Sequence, residues 1–125
     1  MNGELNWIFK TFNYKGQSSF EGEYIYGKRN GKGKEYFEGN LIFEGEYLYD
    51  HKIKGKEYVN GKIEFEGEYL YDKKWNGKGY DEYGNIIYEL NNGNGKVREY
   101  LNDGSIQFDG EYLNGKKMEN VKNIY

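Results

Sequence analysis

The sequence has no cysteine, a single histidine, and no Pro/Ser-rich or highly charged linker. Each absence closes a class. Without cysteine there is neither a disulfide scaffold nor thiolate chemistry, which fits a reducing compartment. With His51 as the one imidazole, a structural zinc site lacks its ligands. No run approaches the ~18 apolar residues of a membrane span, and MNGELNWIFKTFNYKG has neither a basic n-region nor a long apolar h-region. A soluble, cytoplasmic chain is therefore expected, and 125 residues without a linker predict one domain over 1–125. Apolar residues are also scarce at 36 %, and 15 tyrosines head an aromatic set that makes up more than half of them. Such a chain buries rings in a thin layer, because it cannot build a thick aliphatic core. Eighteen basic against 21 acidic residues leave a net charge of −3, so general nucleic-acid binding is not expected.

What the sequence does hold is a repeat. FEGEY stands at 20–24, 43–47 and 65–69, and FDGEY at 108–112. The glycines that precede these runs, Gly16, Gly39, Gly61, Gly84 and Gly104, are spaced 23, 22, 23 and 20 residues apart. Counting every second residue from each glycine gives Ser18-Phe20-Gly22-Tyr24-Tyr26, Leu41-Phe43-Gly45-Tyr47-Tyr49, Ile63-Phe65-Gly67-Tyr69-Tyr71, Ile86-Tyr88-Leu90-Asn92 and Ile106-Phe108-Gly110-Tyr112-Asn114. Period two means strand, with one aromatic face (Phe20, Tyr24, Phe43, Tyr47, Phe65, Tyr69, Phe108, Tyr112) and one acidic face. The recurrent glycines Gly22, Gly45, Gly67 and Gly110 cost strand stability, so a notch for a ring is expected there, filled by Tyr36, Tyr58 or Tyr80. A second strand ends each unit in tyrosine, as in KEYFEG and KEYVNG. Asn60-Gly61 and Asp103-Gly104 predict tight turns between units. Within units the segments GKRNGKGK, DHKIKGK, DKKWNGKG and NNGNGKVR read as longer, lysine-rich turns. The expectation is an all-β, elongated, twisted, single antiparallel sheet in meander order, about ten strands and on the order of 50 Å long. Its units are an N-terminal cap strand at 5–15 and hairpins at about 16–38, 39–60, 61–83, 84–103 and 104–125, with VKNIY (121–125) as the last strand.

The segments FEGEYIYGKRNGKGKEY (20–36), FEGEYLYDHKIKGKEY (43–58) and FEGEYLYDKKWNGKGY (65–80), with a shortened FDGEYLNGKK (108–117), resemble the MORN repeat family over nearly the whole chain. That resemblance implies hairpins stacked in one long sheet and a scaffold, dimerisation or membrane-association role. The KEYVNGKIEFEGEY spacing resembles the bacterial branch, some of whose members are described as antitoxins. Asn30 and Asn76 replace a histidine common in the family. The fourth unit departs further, with Leu90 for glycine and Asn92 for tyrosine, so a change of curvature is expected there.

No catalytic, metal or cofactor residues are assigned. Gly22-EYIY-Gly27-Lys28 and Gly110-EYLN-Gly115-Lys116 have phosphate-loop spacing, but Arg29 and Lys117 stand where Ser or Thr must hold Mg²⁺, and no helix follows. Glutamate pairs such as Glu44/Glu46 have glycosidase-like spacing but recur in unit after unit, whereas a catalytic pair needs one special environment; a solvated face paired with Lys34 and Lys56 is expected instead. The cations Lys28, Arg29, Lys32, Lys34, Lys52, Lys54, Lys56, Lys73, Lys74 and Lys78 are expected to align as a basic edge that could hold anionic lipid head groups. The leading reading is a non-catalytic module that binds a protein partner or itself through its aromatic face or open sheet ends. Peripheral phospholipid binding and an antitoxin-like inhibitor are the alternatives.

Overall fold

A computed structural model describes residues 7–118. They form an antiparallel meander with no helix: β1 (Trp7–Phe12), β2 (Ser18–Ile25), β3 (Lys28–Phe37), β4 (Asn40–Leu48), β5 (His51–Val59), β6 (Lys62–Leu70), β7 (Lys73–Tyr80), β8 (Ile86–Leu90), β9 (Gly95–Tyr100), β10 (Ile106–Leu113) and β11 (Lys116–Lys117). Strands β1 to β8 make one sheet in sequence order, and β9 to β11 make a second. One continuous sheet was expected. The ladder instead breaks at the fourth unit, where β8 and β9 are joined only by an isolated bridge between Asn91 and Asn94. The expected strand at 121–125 and the first residues of the cap strand lie outside the described residues.

The lysine-rich segments are strand, not turn. Each hairpin turns on two residues, Tyr26-Gly27, Tyr49-Asp50, Tyr71-Asp72, Asn92-Gly93 and Asn114-Gly115, all with positive φ. This is the type I′ geometry, whose twist matches that of the flanking strands. Tyr26, Tyr49 and Tyr71 are thus exposed turn residues and do not extend the aromatic face. Asn60-Gly61 is a tight turn as expected. Asp103-Gly104 instead belongs to a longer turn from Leu101 to Ser105, in which Gly104 but not Asp103 takes positive φ.

The strict alternation is also interrupted. A bulge inserts Ser19, Ile42, Glu64, Ile87 and Gln107, in each case three residues after the repeat glycine. A bulged residue shifts every side chain before it to the other face. Leu41 therefore pairs with Tyr36 while Phe43 pairs with Glu35, so Leu41 and Phe43 stand on opposite faces. A second bulge at Ile53 and Trp75 does the same on β5 and β7.

Candidate functional site

The glycines of FEGEY face one another across the sheet. Gly22, Gly33, Gly45, Gly55, Gly67 and Gly77 pair in an unbroken row over β2 to β7, which ends at Phe9 on one side and Leu90 on the other. The rings of Phe20, Phe43 and Phe65 lie on this row: a Cβ placed on Gly33, Gly55 or Gly77 would meet the ring tip at 2.6 Å. The notch exists, but its occupant is the phenylalanine two residues before the glycine. Tyr36, Tyr58 and Tyr80 do not fill it, because each stands three residues after its strand's row glycine (Gly33, Gly55, Gly77) and alternation turns it to the opposite face, where the Tyr58 hydroxyl donates to Glu44 at 3.2 Å. Gly110 pairs with Val97 and so lies outside the row.

Above the glycines the rings form a continuous herringbone from Phe9 through Tyr24, Phe20, Tyr47, Phe43 and Tyr69 to Phe65. Their centroids are 5.2–5.8 Å apart and their planes steeply crossed. Edge-to-face pairs of this kind bring the positive ring edge to the negative ring face. Tyr88 ends the row by stacking on Phe65. Phe108 and Tyr112 form a separate pair on β10.

A third layer covers the rings. Arg29 lies 4.8 Å from the Tyr47 centroid, Lys52 4.4 Å from Phe43, Lys74 4.9 Å from Phe65 and Lys117 5.2 Å from Phe108. The Lys52 and Lys74 contacts exist because the β5 and β7 bulges place those side chains on the ring face beside Tyr47 and Tyr69. Carboxylates complete the layer. Tyr47, Tyr69 and Tyr112 donate their hydroxyls to Glu35, Glu57 and Glu99, and Arg29 bonds Glu35 at 2.9 Å. Burial, then the carboxylate partner, pushes the Tyr47 and Tyr69 phenols far above their ordinary range. Burial alone would lower Lys74, but Glu57, Tyr88 and Glu99 hold it protonated. The aromatic face is consequently closed: Phe20, Phe43, Tyr47, Phe65, Tyr69 and Tyr112 are buried, and Tyr24 and Phe108 are half-buried.

The opposite face carries two rows of alternating charge. Lys10, Glu21, Lys34, Glu44, Lys56, Glu66, Lys78 and Glu89 are successive cross-strand neighbours. Lys32, Glu46, Lys54, Glu68 and Asn76 form the second row. Opposite charges directly across a strand pair are mildly favourable, and here Lys34, Lys54, Lys56 and Lys78 each stand between two carboxylates. The basic edge expected from the ten cations is therefore not formed. Arg29, Lys52 and Lys74 cover rings; Lys32, Lys34, Lys54, Lys56 and Lys78 stand in the alternating rows; only Lys28 and Lys73 remain beside the turns. Even at that edge carboxylates intervene, since Asp50 accepts from the Arg29 amide and Asp72 from the Lys52 amide, both at 2.7 Å. His51 is exposed and bonded to Asp72 at 2.7 Å.

The open part of the molecule is β1. Its outer edge has no strand partner among the described residues, and Trp7 (58 %), Ile8 (75 %), Phe9 (48 %) and Phe12 (58 %) are exposed. The repeat frame predicts a cap strand here and marks none of these four residues as a site. The signal was present as four apolar residues in six, on a strand whose only partner among the described residues is β2. Comparison with family models, curated proteins and solved structures found no match for the chain.

Proposed function

We propose that the chain is a non-catalytic repeat module of the MORN type, which joins a protein partner or a second copy of itself through the open sheet end at β1. The observation that carries this reading is the exposure of Trp7, Ile8, Phe9 and Phe12 on a strand edge that has no partner among the described residues, with Lys10 as the one charge on β1. Natural sheets blunt such edges with charge, proline or bulges, and an apolar edge left open is a template for strand addition. The aromatic face offers no comparable surface, since its rings lie beneath their own cations and carboxylates. The recurrence of near-identical glutamate–lysine rows, with no pair set apart, supports an architectural use of these charges.

Light scattering over a concentration series tests the reading. Association that grows with concentration, or a defined complex with a partner, is expected for the parent chain. Ile8→Lys with Phe12→Lys should abolish it without changing the circular dichroism spectrum. A strict monomer at several hundred micromolar that captures nothing would refute it.

A further inference from the structure

The Leu101–Ser105 turn reaches back to the β5–β6 turn, where the Asn60 side-chain amide donates to the Asn102 carbonyl. Between them, along the turns that join the units, lies a cleft of about 430 Å³. That volume suits a small ligand. Its walls are the apolar side chains of Val59, Ile63 and Leu101 and the rings of Tyr80, Tyr83 and Tyr100, and Glu64 also lines it.

Glu64 is the bulge residue of β6, and its side chain is only 10 % exposed. Its nearest cation is Lys74 Nζ at 3.7 Å, a loose ion pair, and that ammonium is already bonded more closely to Glu99. Around this point two cations, Lys74 and Lys117, meet three carboxylates, Glu57, Glu64 and Glu99. One buried carboxylate is in surplus, and a buried charge without a partner is costly. At the mouth Asp81 and Glu82 outnumber Lys62.

We propose that this cleft binds an organic cation with an apolar stem, an alkylammonium or a guanidinium, with Glu64 as its counter-ion and the tyrosine rings as its walls. The surplus charge supplies the attraction that selects a cation. The tyrosines add cation–π contact and cover the stem. Such a group occurs both in free amines and guanidines and as the lysine or arginine side chain of a partner polypeptide. The site does not depend on β1.

Burial, opposed by Lys74 and reinforced by Glu99 and Glu57, pushes the Glu64 carboxyl up to about 7. A cation competes with that proton, so its binding strengthens as pH rises from 6 to 8.

Titration with n-butylguanidinium and n-butylammonium, read by ¹H–¹⁵N NMR shifts and calorimetry, tests the site, with n-pentanol as the uncharged match. Saturable one-to-one binding is expected, with shifts confined to residues 59–64, 80–84 and 100–104. It should weaken at least tenfold in Glu64→Gln, weaken in Tyr83→Ala, and be tighter at pH 8 than at pH 6. A capped Gly-Arg-Gly peptide beside its citrulline counterpart distinguishes the sources: tighter binding of the arginine peptide than of butylguanidinium assigns the site to a partner side chain, and the reverse to a free small cation. Absence of saturation at 10 mM of both cations, equal binding of pentanol, or unchanged affinity in Glu64→Gln would overturn the proposal. Tyr83 is exposed on a turn, so its variant keeps the test valid if Glu64→Gln fails to fold.

Discussion

A methyl group added at Gly45 would stand 2.2 Å from the Lys54 carbonyl oxygen and 2.7 Å from both the Gly55 Cα and the Phe43 ring. Two of these neighbours are backbone and cannot swing aside. Gly45→Ala should therefore cost on the order of 3 kcal/mol or more in urea unfolding, despite alanine's smaller entropy loss on folding. Gly110 offers a control with the same sequence context. There the nearest atom is the tip of the Phe108 ring at 3.1 Å, so Gly110→Ala should stay within about 1 kcal/mol. Glu64 makes a different residue-level prediction. Its folded pKa of about 7 exceeds its ordinary 4.5, so the folded chain holds this proton more tightly; the associated stability is complete below pH 4.5 and lost as pH rises from there through 7. Glu64→Gln should match the parent only at or below about pH 4 and exceed it by on the order of 2–3 kcal/mol at pH 8.5, read from paired urea melts. Glu99, which burial would raise, is held low chiefly by Lys74.

At the scale of the element, the hairpin turn sets the register. Tyr71 sits at the first position of a type I′ turn with φ of 51° and is 78 % exposed. The left-handed region costs a residue with a Cβ about 1–2 kcal/mol, and asparagine tolerates it better than tyrosine. Tyr71→Asn should raise the melting temperature by a few degrees, corresponding to roughly 0.5–1 kcal/mol, and a lowered one would mean that the ring has a contact to lose. Turn positions were hidden in the sequence because tyrosine there continues the period-two count of the strand before it. The compensation is tertiary: each turn bonds to the neighbouring hairpin, Asp50 N to the carbonyl of Arg29 at the start of β3 at 2.8 Å and Gly115 N to the carbonyl of the turn residue Gly93 at 2.9 Å. The bulges were hidden for a related reason. A bulge adds no distinctive residue; Ser19, Ile42, Glu64, Ile87 and Gln107 share only their distance from the repeat glycine. Trp75 likewise gains its role from assembly, lying against the turn glycines Gly93 and Gly115.

For the whole molecule the fourth unit is the weak joint. The glycine row stops at Leu90, the herringbone stops at Tyr88, and the two sheets share one backbone bridge. The Lys74 ion cluster spans this joint by tying β7 to Glu99 of β9. Stability should accordingly grade along the chain. Hydrogen exchange is expected to be slowest in β4 to β6 and faster in β9 and β10, since subglobal opening follows the sparsest contacts. Lys74→Ala, which strands buried carboxylates, should accelerate exchange in β9 and β10 far more than in β2 to β4. Uniform acceleration would show that the sheets open as one unit.

The local pattern was enough to establish strands, the hairpin repeat, the inward direction of Phe43 and Tyr47, and the departure of the fourth unit, because side-chain alternation and turn preference act within a few residues. What lies over those rings was settled only by tertiary structure. Lysines that look like loop residues become ring covers once a bulge turns them over. Others become links in rows of alternating charge, which closes the aromatic face and removes the basic edge. Both outcomes depend on which residues stand opposite each other on different strands. A shift of one residue, invisible in any single repeat, reverses every face it touches.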